Sequence, residues 1–279
     1  MHIYSVGYDK KGKNMELQLQ YFDLKQISES GQCFRMWETE PGHFKMMAQD
    51  RFLEAWQEPG SETVRFDCSR EVFDGFWHRY FDLDRDYCAC FDLIPPGDSY
   101  LMEAAACGCG IRILRQDPWE MLITFLLSQR KSIPAIKTAI EEICKACGRE
   151  VLSSRGERFY AFPDAEELRQ LSLEDLKACG LGYRAKYIYA AARENPDMEA
   201  MAALEDDELS ARLKGFFGVG DKVSACVMLY GYHRLRSFPR DVWMNRIIDE
   251  QYGGQIDLLP YRDIAGIMQQ YLFYYVRLK

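Results

Sequence analysis

Residues 1 to about 95 alternate between apolar and polar positions, a period of two that is typical of half-buried β-strands. Three runs carry this alternation most clearly, at 15–21, 43–48 and 63–68. Turn-forming residues separate the runs, at 40–42, 49–50 and 59–61. The pattern predicts an antiparallel meander followed by a helix near 72–80, whose aromatic residues belong to the core.

After a passage rich in Pro, Gly and Cys at about 96–110, apolar residues recur every three or four positions, as on amphipathic helices. The first helix is predicted to begin at the cap Asp117 and to end near 128–132. Further helices are predicted at 133–147, after the caps Asp164 and Ser172, and from 198 to the end. We therefore predict an α+β protein, with an N-terminal antiparallel β domain at 1–105 and a larger all-helical region at 106–279. Two helical subdomains of that region are expected to flank a cleft.

One stretch of the helical region joins two helices through a tight glycine turn. The amphipathic run 206–214 ends at Gly215, the turn Gly218-Val219-Gly220 follows, and 222–230 forms a helix that Gly231 closes. Glycines permit positive φ and let the backbone approach another surface closely. The N–H groups at the start of the second helix suit an anion, and a phosphate is their natural ligand.

Two ionisable residues accompany this turn. Lys222 falls in the first turn of the second helix, where the helix dipole disfavours a cation and so favours the neutral, nucleophilic amine. Asp241 follows Phe238-Pro239-Arg240 and is placed to cap the next helix. Most lysines are simply solvated surface groups, so Lys222 alone does not establish an active site.

The formal net charge of −8 argues against a protein that coats nucleic acid, since such proteins are basic. It allows an enzyme with a local basic face, for which Arg130-Lys131, Arg184 with Lys186 and Arg240 with Arg246 are candidates. No apolar run approaches the length of a membrane span, and no apolar signal segment stands at the N-terminus. We expect a monomeric cytoplasmic protein.

The ten cysteines include three close pairs, Cys88/Cys90, Cys107/Cys109 and Cys144/Cys147. Such pairs could bind zinc. The chain has only four histidines, and dispersed reduced thiols in a reducing compartment are the simpler interpretation.

The glycine turn with Lys222 and a downstream Pro-x-Asp resembles the helix-hairpin-helix DNA glycosylases, and within them the 8-oxoguanine DNA glycosylases. The resemblance covers roughly residues 15–275. It implies that Lys222 attacks the sugar, that Asp241 assists, and that the turn with Gly218 and Gly220 binds DNA. The stretch 30–35, Ser-Gly-Gln-Cys-Phe-Arg, also matches the family. There the carbonyl of Gly31 would accept the hydrogen on N7 of 8-oxoguanine, which guanine lacks.

The same resemblance implies the remainder of a base pocket. Cys226 lies four residues after Lys222, on the same helix face, and would stack under the flipped base. Gln269 would bond the Watson–Crick edge of the base, and Phe273 would stack above it. No cysteine follows Cys226, so the four-cysteine iron–sulfur loop of some relatives is absent from the sequence.

The resemblance also implies a DNA-contacting surface, in which Tyr183 wedges into the base stack and Arg184 reads the base left unpaired. Three positions depart from better-known members of the family. Arg130-Lys131-Ser132 replaces an asparagine run, and Ala135 replaces an arginine. Those positions serve recognition of the opposite cytosine in the family. Trp243 replaces a histidine that touches the phosphate near the flipped nucleotide.

We therefore expect a glycosylase that flips 8-oxoguanine out of duplex DNA, excises it and cleaves the strand by β-elimination through a lysine Schiff base. This chemistry needs no metal or organic cofactor. Two alternatives stay open at this point. One is an alkylbase glycosylase of the same fold, which uses the aspartate without the lysine. The other is a non-catalytic helix-hairpin-helix module that only binds DNA phosphates.

Overall fold

The structure is a computed structural model that describes residues 4–8 and 14–279, so residues 1–3 and 9–13 of the predicted β domain lie outside it. Six strands form one sheet in the order β1-β2-β6-β5-β4-β3. They are β1 Tyr4–Tyr8, β2 Met15–Gln18, β3 Met36–Glu40, β4 His43–Ala48, β5 Arg51–Trp56 and β6 Thr63–Phe66. The predicted antiparallel sheet is confirmed, with β1, β3 and β5 added to the runs that the sequence singled out. The meander holds from β3 to β6, whereas β2 pairs with β6 and not with β3.

The register of β2 on β6 shows why these residues form strands. Met15 lies opposite Phe66 and Leu17 opposite Val64, and all four side chains are buried. Between them Glu16 lies opposite Arg65, and both side chains are exposed. The period of two therefore places apolar pairs on the core face and a pair of opposite charges on the other.

Helices α1 to α5 are Leu24–Glu29, Arg70–Val72, His78–Tyr80, Cys88–Phe91 and Ser99–Cys107. A π-helical turn, Phe73–Trp77, joins α2 to α3 where one helix was predicted. Helix α5 lies inside the passage at 96–110 that was predicted as a domain boundary. It begins where the Asp98 side chain accepts a hydrogen bond from Leu101 N at 2.9 Å, and its alanines favour the helix.

Helices α6 to α15 are Pro118–Ser128, Ile133–Cys147, Ala165–Arg169, Leu173–Leu176, Ala185–Glu194, Met198–Ala202, Asp206–Lys214, Asp221–Tyr230, Val242–Tyr252 and Ala265–Leu278. The predicted caps are confirmed, because Asp117, Asp164 and Ser172 each accept a backbone hydrogen bond at a helix start. A π-helical turn (Lys177–Leu181) and two 3₁₀ turns (Gly182–Arg184 and Leu259–Ile264) also occur. A two-stranded hairpin, β7 Glu150–Leu152 with β8 Arg158–Tyr160, is an exception to the predicted all-helical region.

The chain divides into two compact units. Of the described residues, the first comprises 4–8, 14–46, 53–115 and 235–279, and the second comprises 47–52 and 116–234. In the first unit α15 packs against α5 and α14, and in the second α13 packs against α6 and α12. The units do not follow chain order, since the C-terminal helices belong with the N-terminal sheet. The domain boundary at 105/106 stays a prediction.

Candidate functional site

The predicted glycine turn exists in the second unit, and we call residues 215–220 the hairpin. Helix α12 ends at Gly215, and Gly220 is the N-cap of α13. Gly218 has φ +95°, and a Cβ there would lie 2.6 Å from the Tyr187 ring, so both conformation and space require glycine. A Cβ at Gly220 would meet no atom within 4 Å, and no side chain caps this described helix. The first amides of α13 therefore stand at an open backbone surface.

Lys222 is the second residue of α13 and is partly exposed. Its Nζ lies 5.1 Å from the centroid of the Phe125 ring on α6. The neighbouring Asp221 forms an exposed ion pair with Lys214, at 3.2 Å. Cys226 follows Lys222 by one turn and is buried. Lysine and thiol thus share one helix, as predicted.

Two further segments of the second unit carry predicted DNA-binding residues, and we call them the loop (residues 129–132) and the tip (residues 180–184). In the loop, Arg130 is exposed with φ +53°, and Ser132 is the N-cap of α7 without a side-chain hydrogen bond. Lys131 donates from Nζ to the Gly180 carbonyl at 3.0 Å. Partial burial, and then the nearby Arg184, lower the pKa of Lys131.

The tip turns sharply because Gly180 and Gly182 both have positive φ. Tyr183 is 47% exposed, as a wedge residue should be. Arg184 is only 7% exposed, and its guanidinium lies 4.5 Å from the centroid of the Tyr183 ring. The two adjacent residues therefore differ: the aromatic ring faces outward and the cation is enclosed.

In the first unit Asp241 has the predicted place at a helix start. It is the N-cap of α14, and its Oδ1 accepts a hydrogen bond from Met244 N at 2.9 Å. The side chain is partly exposed, and the next two residues, Val242 and Trp243, are 82% and 42% exposed. Two large apolar side chains are thus exposed directly beside the carboxylate.

The Gly31 turn packs against the C-terminal helix within the same unit. Gly31 has φ +79°, and a Cβ there would lie 2.9 Å from Phe273 Cε1 on α15. Gln269, one turn before Phe273, is 3% exposed. The structure thus brings three of the predicted base-binding residues, Gly31, Gln269 and Phe273, to one side of the first unit.

Gln32 explains why glutamine follows the glycine of this turn. Its side chain is fully buried and donates to Ser30 Oγ and to the Arg112 carbonyl, both at 2.9 Å. Its Oε1 accepts from Leu114 N at 2.8 Å. Gln32 therefore anchors the Gly31 turn to the segment 112–114 and to the Ser30 hydroxyl.

The sequence did not identify Arg277, which lies four residues after Phe273 on the same face of α15. Its Nη1 donates to the Glu29 carbonyl at 2.9 Å, and its guanidinium lies 5.3 Å from the centroid of the Phe273 ring. Burial lowers the pKa of Arg277, while Glu29 and Asp241 oppose that change. The spacing of one helical turn from Phe273 could have identified Arg277 from the sequence.

No metal or membrane feature adds to these sites. Among the described residues, no three His, Cys, Asp or Glu side chains are grouped to hold a metal ion. None of the ten cysteines, all of them in the described part of the chain, forms a disulfide. Residues 4–8 and 14–279 contain no helix with the length and apolar character needed to cross a membrane.

Comparisons with known proteins give two family matches that adjoin along the chain. Residues 14–122 match the N-terminal domain of 8-oxoguanine DNA glycosylase, and residues 123–256 match the HhH-GPD superfamily of base excision DNA repair proteins. The N-glycosylase/DNA lyase of Saccharomyces cerevisiae is 30% identical over 257 residues, which is 82% of this chain and 68% of the yeast protein.

Two solved structures are similar to this chain over 99% or more of its length. MBOgg1 in complex with a low-affinity DNA ligand is 35% identical with a TM-score of 0.90, and the match covers 99% of each chain. The Clostridium acetobutylicum 8-oxoguanine glycosylase/lyase, bound to double-stranded DNA with cytosine opposite 8-oxoG, is 32% identical with a TM-score of 0.89. That match covers 100% of this chain and 99% of the other.

Proposed function

Because the chain belongs to the 8-oxoguanine DNA glycosylase family, we propose that it removes 8-oxoguanine from duplex DNA and then cleaves the strand as a lyase. It is a DNA repair enzyme whose partner is double-stranded DNA. The observation that supports the lyase step is Lys222 in the first turn after the hairpin. An alkylbase glycosylase would have no use for that amine, and a passive DNA-binding module would not need Lys222 and Asp241 together with a base pocket.

The damaged base has to leave the stack before its glycosidic bond is accessible. We assign its recognition to Gly31, Cys226, Gln269 and Phe273. The Gly31 carbonyl accepts the N7 hydrogen, and the Gln32 hydrogen bonds anchor the turn that carries it. Guanine presents a lone pair at N7, so the same carbonyl would be left unpaired and repelled, which penalises the undamaged base.

We assign the chemistry to Lys222 and Asp241. The neutral Lys222 amine forms a bond to C1′ as the bond from C1′ to the base breaks, and the base departs with the electron pair and gains a proton. The sugar ring then opens to a Schiff base with Lys222. Loss of a proton from C2′ expels the 3′ phosphate, and water releases the enzyme. Asp241 stabilises the positive charge that develops on the sugar.

DNA contacts are assigned to the hairpin, the tip and the loop, and to Trp243 beside Asp241. Open amides at Gly220 suit a phosphate, and the exposed Tyr183 ring suits the gap left by the flipped base. We further propose that the enzyme acts as a monomer at the nucleoid in a bacterial cytoplasm. It needs no metal or organic cofactor for these steps.

Borohydride trapping tests the proposal directly. The wild-type protein should form a covalent adduct with an 8-oxoguanine duplex in the presence of borohydride, because reduction fixes the Schiff base. Lys222→Gln should bind the duplex yet neither cross-link nor excise. Lys145→Gln is the matched control, since Lys145 is exposed on α7 and pairs only with a neighbouring glutamate on its own helix. Normal trapping by the Lys222 variant would disprove the assignment.

A further inference from the structure

Arg184 is buried where the family resemblance implies a side chain that reads an unpaired base. Its Nε donates to the Gln129 carbonyl at 2.7 Å, and its Nη2 donates to the carbonyls of Gln129 and Arg130, the latter at 3.2 Å. A guanidinium has five donors in one fixed plane. Two of its three nitrogens end on backbone oxygens of the loop, and the third, Nη1, lies 3.5 Å from the Leu181 carbonyl, so all three face backbone carbonyls and not a base edge.

The carbonyls that accept these bonds need such a partner. Gln129 is the C-cap of α6, and the last carbonyls of a helix lack partners within the helix and carry partial negative charge. Arg130 has φ +53°, a conformation that is costly for a residue with a side chain. The buried cation stabilises this turn, and Lys131 returns a bond from the loop to Gly180 in the tip.

The loop is tied to the hairpin as well. Gln129 Nε2 donates to the Gly218 carbonyl at 3.1 Å. Aromatic contacts extend this connection. The centroid of the Tyr187 ring lies 5.9 Å from that of Tyr183 and 5.1 Å from that of Phe217. The tip, the loop and the hairpin therefore form one connected framework within the second unit.

We infer that Arg184 is a positioning residue, which holds the loop and the tip in their DNA-binding shape and does not select the base opposite the lesion. This inference rests on the proposed function. Its consequence is that removal of the guanidinium disorders a surface used by every duplex. The loss of affinity is then the same whichever base stands opposite 8-oxoguanine.

The test uses Arg184→Met, which keeps the length of the side chain and removes its donors. Four duplexes carry 8-oxoguanine opposite C, A, G or T, with a 2′-fluoro sugar at the lesion to suppress cleavage, and affinity is measured by fluorescence anisotropy. We expect Kd to rise at least about tenfold for each duplex, with the four increases equal within about threefold. On cleavable duplexes, the enzyme concentration that gives half-maximal single-turnover excision should rise in parallel with Kd for all four opposing bases.

Three companion variants complete the design. Gln129→Met removes the bond to Gly218 and leaves the carbonyl that Arg184 uses, so it should produce the same uniform loss. Arg184→Lys keeps a cation able to reach the Gln129 carbonyl and should recover part of the affinity. Arg193→Met is the control, because Arg193 is exposed on the same α10 helix and stacks on Tyr189 of that helix.

A loss confined to the cytosine duplex, tenfold or more above the others, would overturn the inference and assign Arg184 to base reading. An unchanged Kd would overturn it too. If the circular dichroism melt shows that Arg184→Met does not fold, the affinities of Gln129→Met for the four duplexes distinguish the same outcomes. Absence of excision by the wild-type protein would instead disprove the proposed function, and the anisotropy results would still test the role of Arg184.

Discussion

At the scale of single residues, Asp241 has two roles that one substitution can separate. Its carboxylate caps α14 through Met244 N, and its charge is proposed to stabilise the sugar cation. Asparagine caps a helix about as well as aspartate but carries no charge. We expect Asp241→Asn to lower single-turnover excision at least a hundredfold, about 2.7 kcal/mol of barrier, while lesion affinity stays within about threefold.

The matched control for this prediction is Asp197→Asn. Asp197 caps α11 through the same kind of bond, to Ala200 N at 2.8 Å, and has no proposed role in catalysis. Both variants should melt close to the wild-type temperature. An Asp241→Asn rate within about threefold of wild type, under about 0.7 kcal/mol, would mean that the charge is not used.

At the scale of elements, α15 presents Phe273 and Arg277 to the Gly31 turn. The guanidinium bonds the Glu29 carbonyl before the turn and lies over the Phe273 ring. Arg277→Met should weaken this connection between helix and turn. We expect Kd for an 8-oxoguanine duplex to rise about fivefold, near 1 kcal/mol, with no change for a duplex containing an abasic-site analogue. Equal losses on both duplexes would contradict a role in holding the base pocket.

Arg236→Met is a suitable control for Arg277, because Arg236 forms an exposed ion pair with Asp263 in the same unit. Exposed ion pairs contribute little to the stability of a protein. Neither affinity should change in that variant. Arg277→Lys keeps the positive charge near Asp241, so comparison of the Lys and Met variants shows whether that charge influences the excision rate.

The elements themselves were largely predictable because their signals are local. Caps such as Asp117 and Ser172, and stop residues such as Gly148, act within four residues of the helix ends that they set. Helix α5 was missed because Pro, Gly and Cys nearby hid its cap at Asp98. Hairpin β7–β8 was missed because each strand has only three residues, too few to show a period.

The candidate site was predictable only where a motif is contiguous or regularly spaced. Lys222 with Cys226 and Gln269 with Phe273 are each one helical turn apart, and the sequence gives that directly. The burial of Arg184 depends on carbonyls 54 and 55 residues away, and no local pattern encodes such a contact. The sequence therefore singled out Arg184 by its place after two glycines and gave no indication that its guanidinium is enclosed.

At the scale of the whole molecule, the substrate is a duplex, and selectivity for the opposite base is a property of the assembled DNA-binding surface. Arg130 is exposed in the loop, Lys131 donates to a backbone carbonyl, and Ala135 has no polar group. Long cationic side chains at such positions suit contacts to phosphates. Such contacts position the protein on the DNA but do not specify its sequence. With the Arg184 guanidinium also enclosed, we expect these residues to form no fitted site for cytosine.

We therefore expect the enzyme to excise 8-oxoguanine opposite adenine, guanine or thymine at rates within about tenfold of that opposite cytosine. One good bidentate contact contributes about 1–3 kcal/mol of discrimination, so a fitted cytosine site would produce a larger spread. The measurement is single-turnover excision by the wild-type protein from four duplexes that differ only in the opposing base. A cytosine preference of a hundredfold or more would show that other residues form a cytosine site. The Arg184→Met variant would then reveal whether Arg184 is one of them, because its four rates would converge only in that case.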